Sequence, residues 1–239
     1  MSEVRSVAQR GDLFGQRVRE HVAGQPMRRL DVLVAGCAHD EPLVLDHIET
    51  RATGADEDHP AIRRVLAERA DLATWSLGDL RSVPLPPRGF DIIQLSFLLE
   101  RVRHAELVFD RLLQALRPGG LVLLRVRDRR SAYGLLDRLT PGWLRRLLWR
   151  GLVRPGTPGP LPAVYEPLAS SDGLHAFCLS RGLMITDDER NLSGPARSRR
   201  IGAAVVALAS KLTSGRFPAS HDEITMVIRK PQHHFARLL

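Results

Sequence analysis

Residues 90–126 read FDIIQLSFLLERVRHAELVFDRLLQALRPGGLVLLRV and place two apolar runs on either side of an amphipathic stretch. The runs Phe90–Phe97 and Leu121–Val126 each predict a buried strand. Between them, Ala105–Leu116 repeats apolar residues at helical spacing and stops at the RPGG turn of residues 117–120. A strand, a helix and a second strand in this order predict two parallel strands joined by a right-handed crossover.

The same alternation extends over the rest of the chain. Further strands are predicted at Leu30–Ala35, Arg51–Asp56, Leu72–Trp75, Leu183–Asp187 and Glu223–Arg229. Further helices are predicted at Asp12–Val22, Pro42–Ile48, Pro60–Glu68, Ser131–Leu152 (interrupted at residues 141–142), Ser171–Arg181 and Ile201–Leu212. This order predicts an α/β fold: a Rossmann-like, seven-stranded, mostly parallel sheet with helices on both faces and a small helical cap insertion. We expect a single domain over residues 1–239, with a core of residues 28–130 and 168–231 and a cap of residues 131–167.

The composition narrows the classes of partner. The chain of 239 residues carries a net charge of +8, almost all of it from arginine, since lysine occurs only at positions 211 and 230. The basic residues are not interleaved with aromatic ones, which disfavours nucleic-acid binding. Attraction to an acidic substrate or to an anionic membrane surface stays open. The sequence does not predict an oligomeric state.

The cysteine content and the hydropathy of the chain indicate the cellular compartment of the protein. The only cysteines are Cys37 and Cys178, and the first eleven residues lack the apolar run of a signal peptide. The longest apolar run, Ile201–Ala209, is far shorter than the ~20 residues of a membrane span. These features predict a cytoplasmic protein. The histidines, cysteines and carboxylates show no metal-site spacing, so no metal is expected.

Polar or flexible residues follow each of the first four strands. Gly36 follows the first strand, Asp56 the second, Asp79 the third and Ser96 the fourth. Ligands of open parallel sheets bind beyond the carboxyl ends of the strands, so these residues predict a binding crevice. Each has a simpler alternative: Gly36 and Asp79 as turn residues, and Asp56 as the cap of the helix that begins near Pro60. Their common position after successive strands favours the crevice.

Several short motifs resemble the class I S-adenosylmethionine-dependent methyltransferases, particularly the small-molecule branch. The matching stretches are VLVAGC at residues 32–37, TGAD at 53–56, GDL at 78–80, FDII at 90–93, LERV at 99–102 and LQALRPGGL at 113–121. The resemblance implies S-adenosylmethionine as the cofactor. It implies that Gly36 and its neighbours face the methionine portion, Asp56 the ribose and Asp79 the adenine amino group. The implied cofactor residues are Ala35, Gly36, Cys37, Ala38, Asp40, Asp56, Glu57, Gly78, Asp79, Leu80 and Ser96.

The first motif departs from the family pattern and is degenerate. Val34 stands where the family usually has an acidic residue, and Ala38 and Asp40 stand where it has glycines. The Asp40 carboxylate could bond the amino group of the ligand and replace the acid missing at Val34. Alternatively, the chain has lost its cofactor and is an inactive binding or partner subunit.

A second departure removes a candidate base, because Arg101 replaces the histidine of the family motif L-E-H-V. The catalytic candidates that remain are His104, Tyr165 and His175. Simpler interpretations are that His104 is an exposed residue at the start of a helix and that Tyr165 packs beneath the proline-rich loop.

The segment after the fifth strand is where this family usually builds its acceptor pocket. Here Trp143–Val153 mixes aromatic residues, leucines and arginines. It predicts either a lid over an apolar or membrane-resident acceptor, or a helix with a solvated arginine face. The expected function is methyl transfer to a small-molecule or lipid-linked acceptor, at oxygen. The alternatives are an inactive partner subunit and, from the net charge, an RNA methyltransferase.

Overall fold

A computed structural model describes residues 7–23, 29–39, 43, 45, 48–145, 159, 161–192 and 200–232. The strands are β1 (Leu30–Ala35), β2 (Thr50–Asp56), β3 (Leu72–Leu77), β4 (Phe90–Ser96), β5 (Leu116–Arg127), β6 (Met184–Asn191) and β7 (Glu223–Arg229). The helices are α1 (Val7–Val22), α2 (Pro60–Ala67), α3 (Ala105–Ala115), α4 (Ala132–Leu139), α5 (Ser171–Ser180) and α6 (Arg200–Leu212). A short 3-10 helix, Cys37–His39, follows β1.

The seven strands form one sheet in the order β3-β2-β1-β4-β5-β7-β6. Strands β1 to β5 pair in parallel, and β7 runs antiparallel to both of its neighbours, β5 and β6. The predicted Rossmann-like, mostly parallel seven-stranded sheet is therefore confirmed. The order reverses at β1, which lies between β2 and β4, and such a reversal opens a crevice for ligands.

Helices cover both faces of the sheet because side chains alternate along each strand. In β1, Val32 and Val34 point into one apolar cluster, which they share with buried residues of α1 and α2. Leu33 points to the opposite face, into a larger cluster that includes residues of α3 and α5. There, the rings of Phe109 and Phe177 stack with centroids 4.8 Å apart.

Two strand boundaries differ from the prediction by more than two residues. Strand β5 begins at Leu116, so the RPGG segment lies within a strand and is not a turn outside it. Leu116 pairs with Phe90 and Leu121 pairs with Ile92, and an irregularity in the register absorbs the extra residues of β5. Strand β6 continues to Asn191 through the charged sequence TDDER, which the hydropathy pattern did not indicate, because β6 lies at the edge of the sheet.

The helix boundaries also differ in places. Helix α1 begins at Val7, before the predicted Asp12. The predicted helix Pro42–Ile48 is not seen at the described residues 43, 45 and 48, and its other residues lie outside the described part of the chain. Residues 146–152 of the predicted helix Ser131–Leu152 also lie outside it.

Helix α4, which lies in the predicted cap of residues 131–167, packs against α6 from later in the chain. Ala132 and Val206 are at the centre of a small apolar cluster between the two helices. The division into a core and a cap stays a prediction. Within the described residues, no helix is long and apolar enough to cross a membrane.

Candidate functional site

The candidate site lies where the carboxyl ends of β2, β1 and β4 meet. Ala35, at the end of β1, pairs with Ala55 on one side and with Leu95 on the other. Gly36, Asp56 and Ser96 therefore leave the sheet side by side. Gly36 has a φ of +79°, and a Cβ built on it would lie 2.3 Å from the carbonyl oxygen of Ser96. Only glycine satisfies both constraints, and this accounts for its place after β1.

The carboxylate of Asp56 is fully enclosed, because the residue is 0% exposed. Oδ1 accepts hydrogen bonds from the backbone N–H of Glu57 at 2.8 Å and from Nη2 of Arg101 at 2.6 Å. Oδ2 accepts one from the backbone N–H of Ala38 at 3.2 Å, and the thiol of Cys37 lies 4.0 Å away. Asp56 does not cap α2, since the ring of His59 accepts the hydrogen bond from the N–H of Ala61.

Arg101 enters the site from the segment after β4. The sequence indicated only that it replaces the histidine of the family motif, not that it has a role of its own. It is 3% exposed, and its Nε donates to the carbonyl oxygen of Phe97 at 2.8 Å. Its Nη2 bonds Asp56. Its Nη1 is buried, has no hydrogen-bond partner within the described part of the chain and lies 4.0 Å from Oε2 of Glu57. A permanent positive charge thus occupies the centre of the predicted cofactor site.

Two carboxylates and a histidine form the exposed rim of this site. The side chain of Glu57 is 35% exposed, and partial burial raises its pKa, with the charges of Asp56 and Asp79 adding to the effect and that of Arg101 opposing it. Asp79 is 45% exposed, and hydrogen bonds from Arg81 lower its pKa to about 2. His104 lies close enough to lower the pKa of Asp79 a little further. The structure therefore brings His104 to the rim.

The other residues predicted for cofactor binding are less accessible. Ala35, Cys37, Ala38 and Ser96 are buried, and Leu80 belongs to the apolar core. Burial, followed by the charge of Asp56, raises the pKa of the Cys37 thiol to about 12, so the thiol keeps its proton. The N–H of Gly78 donates to the carbonyl oxygen of Asp56 and supports the strand end. Asp40 lies outside the described residues.

His175 lies away from this rim, whereas the backbone N–H of Tyr165 donates to the carbonyl oxygen of Glu100, next to Arg101, at 2.8 Å. Tyr165 is buried in the apolar core, where burial raises the pKa of its hydroxyl well above the usual value. His175 is on α5, and its Nε2 lies 3.5 Å from the carboxylate of Asp188 on the edge strand β6. The sheet order separates β6 from β4 by two strands. Their predicted catalytic roles stay predictions.

A buried acidic residue next to Arg101 was not predicted. Glu100 is buried, its Oε2 has no hydrogen-bond partner among the described residues, and desolvation raises its pKa to about 7. The guanidinium of Arg127 lies nearby and opposes this increase. The signal in the sequence was an acid inside the otherwise apolar stretch after β4.

No group of side chains among the described residues could hold a metal ion.

Comparison with known proteins identifies the family. A family model described as a methyltransferase domain matches residues 12–162, which is more than half of the chain. This match includes β1 to β5, the site residues after them and α4. No curated protein sequence matches the chain.

Solved structures share the fold at low sequence identity. An S-adenosylmethionine-dependent methyltransferase from Mesorhizobium loti is 18% identical, covers 92% of this chain and 100% of its own, and has a TM-score of 0.52. A Burkholderia thailandensis 1,6-didemethyltoxoflavin-N1-methyltransferase with bound S-adenosylhomocysteine is 14% identical, with coverage of 93% and 79% and a TM-score of 0.51. The [4+2]-cyclase SpnF is 18% identical, with coverage of 96% and 84% and a TM-score of 0.53.

These neighbours confirm the predicted fold, and the cyclase shows that the fold also carries other chemistry. The family therefore rests on the match of residues 12–162 and on the motifs within them. On these grounds, the chain belongs to the methyltransferase domain family, and its fold is that of the S-adenosylmethionine-dependent methyltransferases.

Proposed function

We propose that this protein transfers a methyl group from S-adenosylmethionine to oxygen of a small-molecule or lipid-linked acceptor. The observation that carries the proposal is the set of charged groups at the carboxyl ends of β1 to β4, which lies where ligands of this sheet topology bind. Family membership and the S-adenosylhomocysteine bound to the Burkholderia neighbour support the choice of cofactor.

The chemistry of the residues fits the cofactor. S-adenosylmethionine presents a ribose diol, an adenine amino group and a carboxylate, and it supplies a methyl group activated by a sulfonium. The half-buried carboxylate of Glu57 is an acceptor for the diol. The exposed carboxylate of Asp79 accepts from the amino group once the exposed Arg81 side chain that bonds it turns aside. Nη1 of Arg101, which has no hydrogen-bond partner among the described residues, is a donor for an anion. While Arg101 holds Asp56, both oxygens of Asp56 are bonded, so in this state Glu57 is the acid that can meet the ribose.

A hydroxyl acceptor must lose a proton during methyl transfer, and Glu100 supports the assignment to oxygen. Its pKa of about 7 is that of a carboxyl able to exchange a proton at neutral pH. Its Oε2 is buried and makes no hydrogen bond within the described residues, so it has an acceptor position left for a hydroxyl group. We therefore assign to Glu100 the role of accepting that proton.

The surface of the cap supports a lipid-linked acceptor. Leu139 at the end of α4 and Leu208 and Leu212 on α6 are exposed apolar side chains on two helices that pack together, and Trp143, which follows α4, is exposed as well. Lys211 is exposed beside them. Leu208, Lys211 and Leu212 are three and four residues apart and so share one side of α6. Apolar and basic side chains on one side of a helix suit contact with an anionic membrane.

Cofactor binding is tested by calorimetry with S-adenosylhomocysteine. We expect micromolar binding by the wild type and an affinity roughly 10- to 150-fold weaker for Glu57→Gln, since one hydrogen bond to a charged group contributes about 1.5–3 kcal/mol. Glu68→Gln is the matched control, because Glu68 is exposed on the far end of α2. Equal affinities of the wild type and Glu57→Gln would remove Glu57 from the site.

Membrane contact is tested by sedimentation with phosphatidylglycerol vesicles, with phosphatidylcholine vesicles as the neutral comparison. The variant Leu208→Ser/Leu212→Ser should sediment much less than the wild type. Leu107→Ser, which alters an equally exposed leucine on α3, should sediment like the wild type. Equal sedimentation of all three proteins would leave only a water-soluble acceptor.

The enclosure of Asp56 favours one second candidate, an inactive partner subunit that retains the fold. Asp56 forms a buried ion pair with Arg101. A cofactor that needs the Asp56 carboxylate would not bind while this pair is intact. The absence of any thermal shift at millimolar S-adenosylhomocysteine would support this candidate.

The cytoplasmic location and the RNA methyltransferase alternative stay predictions.

A further inference from the structure

The hydrogen-bonding capacity of Asp56 is exhausted. A carboxylate offers about four acceptor positions. Here they face the N–H groups of Ala38 and Glu57, the Cys37 thiol and Nη2 of Arg101. A ribose hydroxyl can therefore reach Asp56 only if one of these donors leaves. The two N–H groups belong to the main chain, and the thiol of Cys37 at 4.0 Å is only a weak donor. Arg101 is therefore the strong donor that a side-chain rotation can remove.

Arg101 cannot leave alone. Its guanidinium is always charged and almost fully buried, and a buried charge without a partner is strongly unfavourable. Among the described residues, Glu57 is the carboxylate that lies near Nη1, but at 4.0 Å it is beyond hydrogen-bonding distance, and Nη1 has no hydrogen-bond partner among them. Arg101 therefore needs an incoming anion in order to release Asp56.

The following inference rests on the proposed function. The only anionic group of S-adenosylmethionine is the carboxylate of its methionine portion. We propose that Arg101 recognises this carboxylate, exchanging Asp56 for it, so that the cofactor opens its own site. Arg101 is then a specificity-determining residue: it admits adenosyl ligands that carry the carboxylate and excludes those that lack it.

The inference is tested by comparing three ligands on the full-length wild-type protein by calorimetry. S-adenosylhomocysteine carries the carboxylate, decarboxylated S-adenosylhomocysteine keeps only the amine, and 5′-methylthioadenosine lacks both. We expect the first to bind at least 30-fold more tightly than either of the others. Equal affinity for the first two ligands would overturn the proposal, and this comparison requires no variant.

The variant Arg101→Gln extends the test. It removes the guanidinium, so the preference for S-adenosylhomocysteine over its decarboxylated form should fall at least tenfold. Arg101→Lys, which retains a charge, should retain part of the preference. Arg103→Gln is the matched control, because it removes the same charge from an exposed position two residues away, and it should keep the wild-type preference.

The outcomes separate this inference from the proposed function. If neither the wild type nor any Arg101 variant binds S-adenosylhomocysteine, the proposed function itself fails. If the wild type binds and Arg101→Gln keeps the full preference, the function stands and the inference fails. If only Arg101→Gln binds, Arg101 is a permanent block, which also overturns the exchange.

Discussion

The carboxylate of Glu166 caps helix α3 by accepting a hydrogen bond from the backbone N–H of His104 at 2.7 Å. Its second oxygen accepts one from the N–H of Ala105 at 2.8 Å. The side chain of His104 makes no capping bond, and His104 has the left-handed φ of 56°. An acid from a distant loop therefore satisfies two N–H groups at the helix start and holds a rim residue of the site.

Replacement of Glu166 by alanine should lower the free energy of unfolding by about 1–2 kcal/mol, the usual cost of losing a helix cap. Urea denaturation measures this change. Glu68→Ala, at an exposed position, should change stability by less than about 0.5 kcal/mol. An equal effect of the two substitutions would show that Glu166 does not cap α3.

The pair of Arg101 and Asp56 predicts strong coupling in a double-mutant cycle. Arg101→Gln and Asp56→Asn should each lower the free energy of unfolding by about 3–5 kcal/mol, because each leaves a buried charge without its partner. The double variant should lose clearly less than the sum. The exposed pair of Asp58 and Arg63 is the control, and its removal should cost below about 1 kcal/mol. Additive losses at Arg101 and Asp56 would contradict the pairing.

Glu100 predicts a specific dependence of stability on pH. Burial raises its pKa from 4.5 to about 7 in the folded state. Between these values the folded protein keeps the proton and the unfolded chain has lost it, so stability falls as the pH rises through this window. Below the window both states hold the proton, and above it neither does. The total loss is about 3 kcal/mol.

Chemical denaturation at several pH values tests this dependence. Glu100→Gln should lose the part of the slope between pH 4.5 and about 7, because its amide does not titrate. Glu106→Gln, at an exposed position of α3, should keep the slope of the wild type. A Glu100→Gln curve parallel to that of the wild type would show that Glu100 titrates normally.

Gly36 should not tolerate a side chain. Gly36→Ala places a methyl group against the carbonyl oxygen of Ser96 and imposes a left-handed φ on alanine. We expect a loss of more than about 3 kcal/mol in the free energy of unfolding. Gly142→Ala is the control, because a Cβ there has no neighbour within 4 Å. If Gly36→Ala were as stable as Gly142→Ala, the close approach of β1 and β4 would be wrong.

Local patterns determined most of the fold. The apolar runs of β1, β4 and β7 and the periodicity of α3 were predicted within a residue or two. The charged strand β6 was predicted too short, because an edge strand buries too little of its surface to show an apolar pattern. The placement of Gly36, Asp56 and Asp79 after successive strands also followed from the sequence, since each depends only on where a strand ends.

The sequence by itself determined the order of strands and helices and the residues that follow each strand, because burial along a regular backbone imposes a local periodicity. It did not determine what Asp56 binds. Its partner, Arg101, is 45 residues away along the chain, and the two meet only because β2 and β4 both border β1. The cap of α3 by Glu166 has the same origin, a contact across 62 residues. Only the tertiary structure decides such contacts, because the packing of the whole sheet brings distant charges within hydrogen-bonding distance and excludes the water that would otherwise separate them.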